Sequence, residues 1–465
     1  MSTQCGWLPP SQATCSLGRR GGSLHQIAWL SAVSIFTYFT SATRPTRTLL
    51  TRLLIGMLVL EGMPSIRWLY RHFLSQVYPQ SLNCYYRTCA VAKLDENVFL
   101  TTTAKLALEL IPDTLRNEPV FLSTDDTIVV KFGKHFEQVS ILHDHALHTG
   151  KLYVNGHAFV SLMLCVPIMK QHHDKSYISY VAVPLGYRIW TKAASKLKMA
   201  ADMVSVVMPL MKDRQVILSF DSWYAKRTFI QPLQGFENLT MICNARCDSA
   251  LFDLPPAPTG KRGRPAKRGK KLYLDDFDLD YEHDGFKIGH RRVLTNIFGD
   301  KPVNAYVTES TSGSRRLFFC TADPAEIHMS CAWQEKSALK DVGSKDMKYF
   351  PMRLYDMRWN IEVGYYEQKT FWDLSRYMVR SKTGVERMLN LVNAAHSAMK
   401  ILPHHHACWK DFRYQSPQEL RFVISEQIRK QVFFDTLRAK AETMGKSTDF
   451  FNTLAQLAEE FWRAA

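Results

Sequence analysis

The stretch PVFLSTDDTIVVKFG (residues 119–133) marks the point where the sequence changes character. Val, Ile, Phe and Thr dominate it, a composition that fits a pleated, half-buried strand. Asp125 and Asp126 stand in its middle. An acid inside such a run is costly to bury unless something compensates its charge, and a metal ion is one such partner. Because strand side chains alternate, only one of the two can face a given side of the sheet.

Working outward, KLYVNGHAFVSLMLCV (151–166) and KSYISYVAVPLGYRIW (175–190) read as two further strands. A helical run follows at 193–211, then the strand RQVILSFDSW (214–223), a short helix and the strand ENLTMICNAR (237–246). That order predicts an α/β fold with a mixed sheet flanked by helices. Upstream, residues 46–62, 65–78 and 96–111 recur at helical spacing, as does the apolar run at 27–36. Arg67, Arg71 and His72 line one helical face, which suits either phosphate contact or ordinary solvation. After about residue 345 the pattern is helical to the end.

The 465 residues carry a formal net charge of +16 with 46% hydrophobic content, which points to a folded chain with a polyanionic partner. The longest apolar runs, 27–36 and 53–60, are too short to span a bilayer, so membrane is demoted and nucleic acid favoured. Ten cysteines without a framework fit a reducing cytoplasm. The histidine clusters at 143–150 and 403–409, in a turn and an interhelical loop, are read as exposed structural residues.

RLYDMRWNIEVGYYEQKTFWD (353–373) is a helix of unusual composition. Tyr355, Arg358, Glu362 and Lys369, at about 100° per residue, point within roughly 60° of one another, with Trp359 and Tyr366 on the same side. Leu354, Met357, Ile361, Gly364, Phe371 and Trp372 form the apolar side expected to pack on the sheet. Glu367 lies off the polar stripe. An acid on that stripe needs partners for phosphodiester chemistry, since about three carboxylates hold a metal pair. Asp125 or Asp126 supplies one, and Asp221, at the C-terminal end of its strand, supplies another.

The spacing Y-(2)-R-(3)-E-(6)-K, with DDT on a first strand and DSW after a later one, resembles DDE transposases of the type-four insertion-sequence family and its relatives. The resemblance covers about residues 119–402. It implies an RNase H-like core with a β-rich insertion in the 141 positions from Asp221 to Glu362. It implies Asp125, Asp221 and Glu362 as the catalytic, metal-binding triad, with Asp125 preferred and Asp126 the alternative. It further implies Tyr355, Arg358 and Lys369 on phosphates, Mg²⁺ with Mn²⁺ as a substitute, and cut-and-paste transposition through a 3′-hydroxyl. The expected partners are double-stranded DNA (terminal inverted repeats and target) and a second copy in a synaptic dimer, in a prokaryotic cytoplasm at the nucleoid. Trp223, Trp359 and Trp333 are candidates to stack on a flipped base, with buried packing the commoner role for any one of them.

The basic segment at 253–271 contains Arg262, Arg264, Lys267 and Arg268 around a Gly-Arg-Pro that resembles an AT-hook, suited to a narrow minor groove. The expected organisation is a helical DNA-binding region (1–112), the first part of the core (113–255), basic linker and β-rich insertion (256–345), catalytic helix and end of core (346–402) and a helical C-terminal region (403–465). Two alternatives stand beside the transposase: a domesticated RNase H-like nuclease, and a DNA-binding protein without catalysis.

Overall fold

The run that opened the sequence forms β1 (Val120–Val130), the hub of the sheet in this computed structural model. The structure describes Phe39 and residues 42–444, apart from 63–64, 134, 145–149, 173–174, 258–265, 284 and 328–348. The helix expected at 27–36, Arg262, Arg264, Trp333 and the end of the C-terminal helical run lie outside the described residues.

β1 pairs antiparallel with β3 (Tyr153–His172), which pairs antiparallel with β4 (Lys175–Ile189). On its other edge β1 runs parallel to β5 (Val216–Phe220), and β5 runs parallel to β6 (Leu239–Ala245). The order β4-β3-β1-β5-β6 is that of an RNase H-like core. A short strand that the sequence reading missed, β2 (Ser140–His143), pairs with the start of β3.

Beyond β6 the insertion continues the same sheet. β7 (Leu251–Phe252) and β8 (Lys271–Leu272) pair with each other, and β9 (Tyr281–His283) pairs with β10 (Phe286–Thr295). β10 pairs with β11 (Val303–Ser310), β11 with β12 (Arg315–Cys320), and β12 antiparallel with β6. Leu317 and Phe319 are fully buried, so the insertion shares the apolar core.

Helix α1 (Arg44–Val59) buries Leu50, Leu53, Leu54 and Leu58. The segment 66–77 is helical with a π-turn at Tyr70–Leu74. Next come α2 (Leu82–Val91), inside the region expected to be helical though none of the periodic runs covers it, and α3 (Val98–Leu108). α2 buries only Tyr85, Thr88 and Cys89, too thin a stripe to stand out in sequence. Helices α4 (Lys196–Val207) and α5 (Arg227–Leu233) connect the core strands. Among the described residues no helix is long and apolar enough to cross a membrane.

The expected single helix at 353–373 is three pieces: α6 (Phe350–Tyr355), a 3₁₀ turn (Asp356–Arg358) and α7 (Trp359–Phe371). Asp373 takes a left-handed φ of 51° and the Leu374 N–H closes on the Gln368 carbonyl, which ends α7. Arg376 and Arg380 therefore fall beyond it. Leu354, Ile361 and Trp372 are buried as expected, but Phe371, the last residue of α7, is 41% exposed, about 80° round the helix from Ile361 at the edge of its buried face. Tyr365 and Gln368 take buried positions instead. A Cβ on Gly364 would stand 2.6 Å from the Met163 side chain, so glycine lets α7 lie close on β3 and β4.

Helices α8 (Lys382–His405) and α9 (Pro417–Met444) complete the described chain. The β3–β4 register shifts between Leu162 and Met163, leaving Leu185 as an extra residue. α8 clamps this bulge. Asn390 bonds both the N–H and the carbonyl of Tyr187, while Asn393 and Ser397 donate to the Pro184 carbonyl.

Candidate active site

The β1–β5 register sets Ser123 opposite Ser219. Two residues further along each chain this places Asp125 level with Asp221, just past the end of β5, and parallel neighbours face the same side. The fully buried Ser123 and Ser219 lie on that same face, and their hydroxyls have no hydrogen-bond partner among the described residues. The Asp221 carboxylate is aimed by a turn: its Oδ1 accepts the Trp223 N–H at 3.0 Å and the Tyr224 N–H at 3.3 Å. The DSW stretch thus carries its own orienting device.

α7 and the turn before it cover this face. Arg358 Nη1 donates to Asp125 Oδ2 at 2.8 Å, and Nη2 reaches Glu362 Oε1 at 3.4 Å. Burial first, then the Asp221 charge, push the Asp125 carboxyl up to about 8, with Glu362 adding and Arg358 opposing. Asp221 is also raised, mainly by burial, against the pull of the Tyr224 N–H and Arg358. Burial raises the Tyr355 hydroxyl, and the Asp221 and Asp125 charges add to it. Lys369 is lowered by burial, with Glu362 and Asp144 opposing. The structure therefore brings Asp125, Asp221, Glu362, Arg358, Tyr355 and Lys369 into one electrostatic neighbourhood.

Asp126 points the other way. Its carboxylate takes Lys196 Nζ at 2.5 Å and the hydroxyl of fully buried Tyr224 at 3.3 Å. Neither partner was singled out from sequence. One signal existed, since a lysine opening a helix opposes the macrodipole and asks for a nearby acid.

Trp359 and Trp223 are 65% and 40% exposed, against the expectation of buried packing. Trp359 stands on the outer side of α7, and Trp223 lies between Lys226 and Lys196, 4.6 and 5.5 Å from its ring. Arg268 bonds Asn296 at 2.6 Å, lies over Phe252 and shares a pocket with Arg227 and Gln231 of α5, the helix that follows the Asp221 turn.

Three carboxylates are hard oxygen donors of the kind that hold Mg²⁺ or Mn²⁺. Their crowding, visible in the raised Asp125, suits a shared cation, so the donor set fits such an ion. In the geometry as it stands, no three His, Cys, Asp or Glu side chains among the described residues are grouped to hold one. Arg358 stands between two of the three acids.

A buried polar network sets how α7 sits. Gln368, fully buried, accepts from the Tyr187 hydroxyl and donates to Asn393 and to His396 Nδ1. His396 Nε2 bonds Glu367 at 3.0 Å, and Lys400 joins the same carboxylate at 2.8 Å. Glu367 is thus a structural acid, held down to about 2 by His396 and Lys400 against its burial. Burial holds His396 down to about 4, so it is neutral at pH 7 and Lys400 supplies the positive charge. The unfolded chain takes up this proton near pH 6.5, so stability should be lost as pH falls from 6.5 towards 4. At pH 5 the loss is on the order of 2 kcal/mol, a few degrees of melting temperature. Melting curves at pH 7 and pH 5 check it, and a level melting temperature would mean that His396 is not buried neutral.

A family profile described as DDE superfamily endonuclease matches residues 35–278, more than half of the chain. The matched part contains Asp125 and Asp221 and stops before Glu362. No curated protein matches the sequence. Among solved structures, the chain is similar to a piggyBac transposase in a synaptic complex with hairpin DNA. The identity is 12% and the TM-score 0.43, over 93% of this chain and 81% of that one. On the profile match, this chain belongs to the DDE endonuclease superfamily.

Proposed function

We propose that the protein is a transposase that cuts the ends of its own element and joins them to target DNA. The observation carrying this reading is the register that sets Asp125 level with Asp221 on one face, with Glu362 and Arg358 of the covering segment above them. Asp125, Asp221 and Glu362 would hold divalent ions, Mg²⁺ with Mn²⁺ as a substitute. When bound, such ions stabilise the charge that builds on the attacked phosphate. Tyr355, Arg358 and Lys369 would bind the phosphates on either side and fix the strand against the acids. Water attacks the phosphorus and the P–O3′ bond breaks, leaving a 5′-phosphate and a 3′-hydroxyl; this hydroxyl then attacks a phosphorus of the target DNA, whose own P–O3′ bond breaks to release a target 3′-hydroxyl. No covalent protein intermediate is required.

The exposed rings of Trp223 and Trp359 offer faces for an unstacked base beside the cut. The face with Arg67, Arg71 and His72, together with Lys267 and Arg268, would hold duplex DNA, with a second copy completing the synaptic complex. The decisive experiment places the DNA flanking the gene on a donor plasmid and incubates it with the protein, Mg²⁺ and a target plasmid. End-specific cuts and joined products support transposition. Nicking without end preference or joining would leave a nuclease and sink the transposase reading.

The net charge of +16 implies a large electrostatic share in DNA binding. Affinity for duplex DNA should fall by at least about 10²-fold between about 50 and 200 mM salt, as released counterions require. Fluorescence anisotropy measures this, and a flat response would contradict the footprint.

A further inference from the structure

Arg358 does more in this geometry than a phosphate-binding residue needs to do. Its side chain is 17% exposed, and its two terminal nitrogens engage carboxylates on different elements, Asp125 of β1 and Glu362 of α7. The two contacts are unequal. The Asp125 bond is 2.8 Å long with the carboxylate 14% exposed, whereas the Glu362 contact is 3.4 Å and that carboxylate is 36% exposed. The guanidinium therefore occupies one oxygen of each carboxylate that a shared ion would need, Asp125 Oδ2 and Glu362 Oε1, while Asp125 Oδ1 accepts the Asp126 N–H.

Arg358 also sits on the short 3₁₀ turn between α6 and α7, where one residue's shift does not require moving a whole helix. A guanidinium has five donors in a planar fork, of which the acids use two, and a DNA phosphate offers that fork two oxygens at once. A phosphate that draws Arg358 outward would remove one positive charge from among the carboxylates and free oxygens on both.

We propose that Arg358 makes divalent-ion binding conditional on DNA: it closes the acidic cluster in the free chain and opens it when a phosphate takes the guanidinium. Ion and DNA then bind with positive coupling, and by linkage each raises the affinity for the other by the same factor. The physical order this imposes is DNA first, ion second, which keeps a free chain from cutting DNA before its substrate is seated. This inference rests on reading the three carboxylates as ion ligands.

The test measures Mn²⁺ binding by electron paramagnetic resonance, with and without a short mixed-sequence duplex, for the wild type, Arg358→Gln and Arg358→Lys. Circular dichroism confirms that each variant is folded. For the wild type, the duplex should raise Mn²⁺ affinity at least about fivefold, the low end of ordinary coupling. Arg358→Gln should bind Mn²⁺ at least about fivefold more tightly than the wild type without DNA, and the duplex should add little. Arg358→Lys, which keeps the charge but cannot bridge two carboxylates with a planar fork, should fall between them. Equal Mn²⁺ affinity of wild type and Arg358→Gln without DNA would overturn the proposal, as would equal enhancement by DNA in both. An Asp125→Asn control, measured with the duplex present, separates the two levels: if it binds Mn²⁺ as the wild type does, the acids are not the ligands and the inference falls with that reading.

Discussion

Glu362→Gln is expected to lower Mg²⁺-dependent DNA cleavage by at least about 10³-fold while leaving DNA affinity within about twofold. The substitution keeps size and hydrogen-bonding shape but removes one of three charges available to hold an ion. Losing several kcal/mol of charge stabilisation at the attacked phosphate corresponds to a factor of this order. The fold should survive, since Glu362, at 36%, is more exposed than Asp125 at 14% and its contact with Arg358 is long. Cleavage of labelled duplex by purified wild type and variant measures the effect, and comparable rates would remove Glu362 from the catalytic assignment. The comparison matters most at this residue, because the family match ends before it and only the geometry places it, through Arg358, beside Asp125.

The largest effect on stability is expected at Arg421. Its side chain is buried, and it donates to the carbonyls of Phe371 at 3.0 Å, Met57 at 2.8 Å and Leu60 at 2.6 Å. Those carbonyls terminate α7 and α1, the negative ends of two helices, which is why a cation is tolerated there. Its guanidinium also lies 4.5 Å from the centre of the Trp372 ring. One residue of α9 thereby joins the N-terminal helices to the end of the segment that carries Glu362. Arg421→Met retains much of the packing but leaves three buried carbonyls without donors, at a cost on the order of 3–5 kcal/mol. Urea unfolding should show the loss, with Arg421→Lys partly restoring stability because one ammonium cannot serve all three carbonyls. A midpoint unchanged by Arg421→Met would show that these helices are held by their apolar faces alone.

Much of the core was legible because its strands announce themselves. The β-branched runs at 120–130, 153–166 and 175–189 became β1, β3 and β4, and the acid in DSW fell at the end of a strand as expected. The insertion was legible as strands but not as a continuation of the sheet, since pairing between β6 and β12 joins residues about 75 apart and leaves no local pattern. The 3₁₀ break before α7 was hidden for a different reason. Asp356, Met357 and Arg358 are compatible with an α-helix, and only packing on β1 and β5 tightens them. On α7 itself Phe371, placed on the apolar side by a continuous wheel, is exposed at the helix end, and Gln368, which the wheel assigned to neither side, is buried.

The amino-acid sequence alone determined the α/β class, the acidic residues inside or beside apolar strands, and the basic character of the chain. These follow from composition and short-range period, which depend on neighbours a few residues apart. The direction each aspartate faces was decided only in three dimensions. Asp125 meets Asp221 and Arg358 because β1 and β5 are parallel and in register, and Asp126 meets Lys196 because α4 lies on the opposite face. Alternation states that adjacent side chains diverge; which one finds the other acids depends on which strand lies alongside and which helix covers each face.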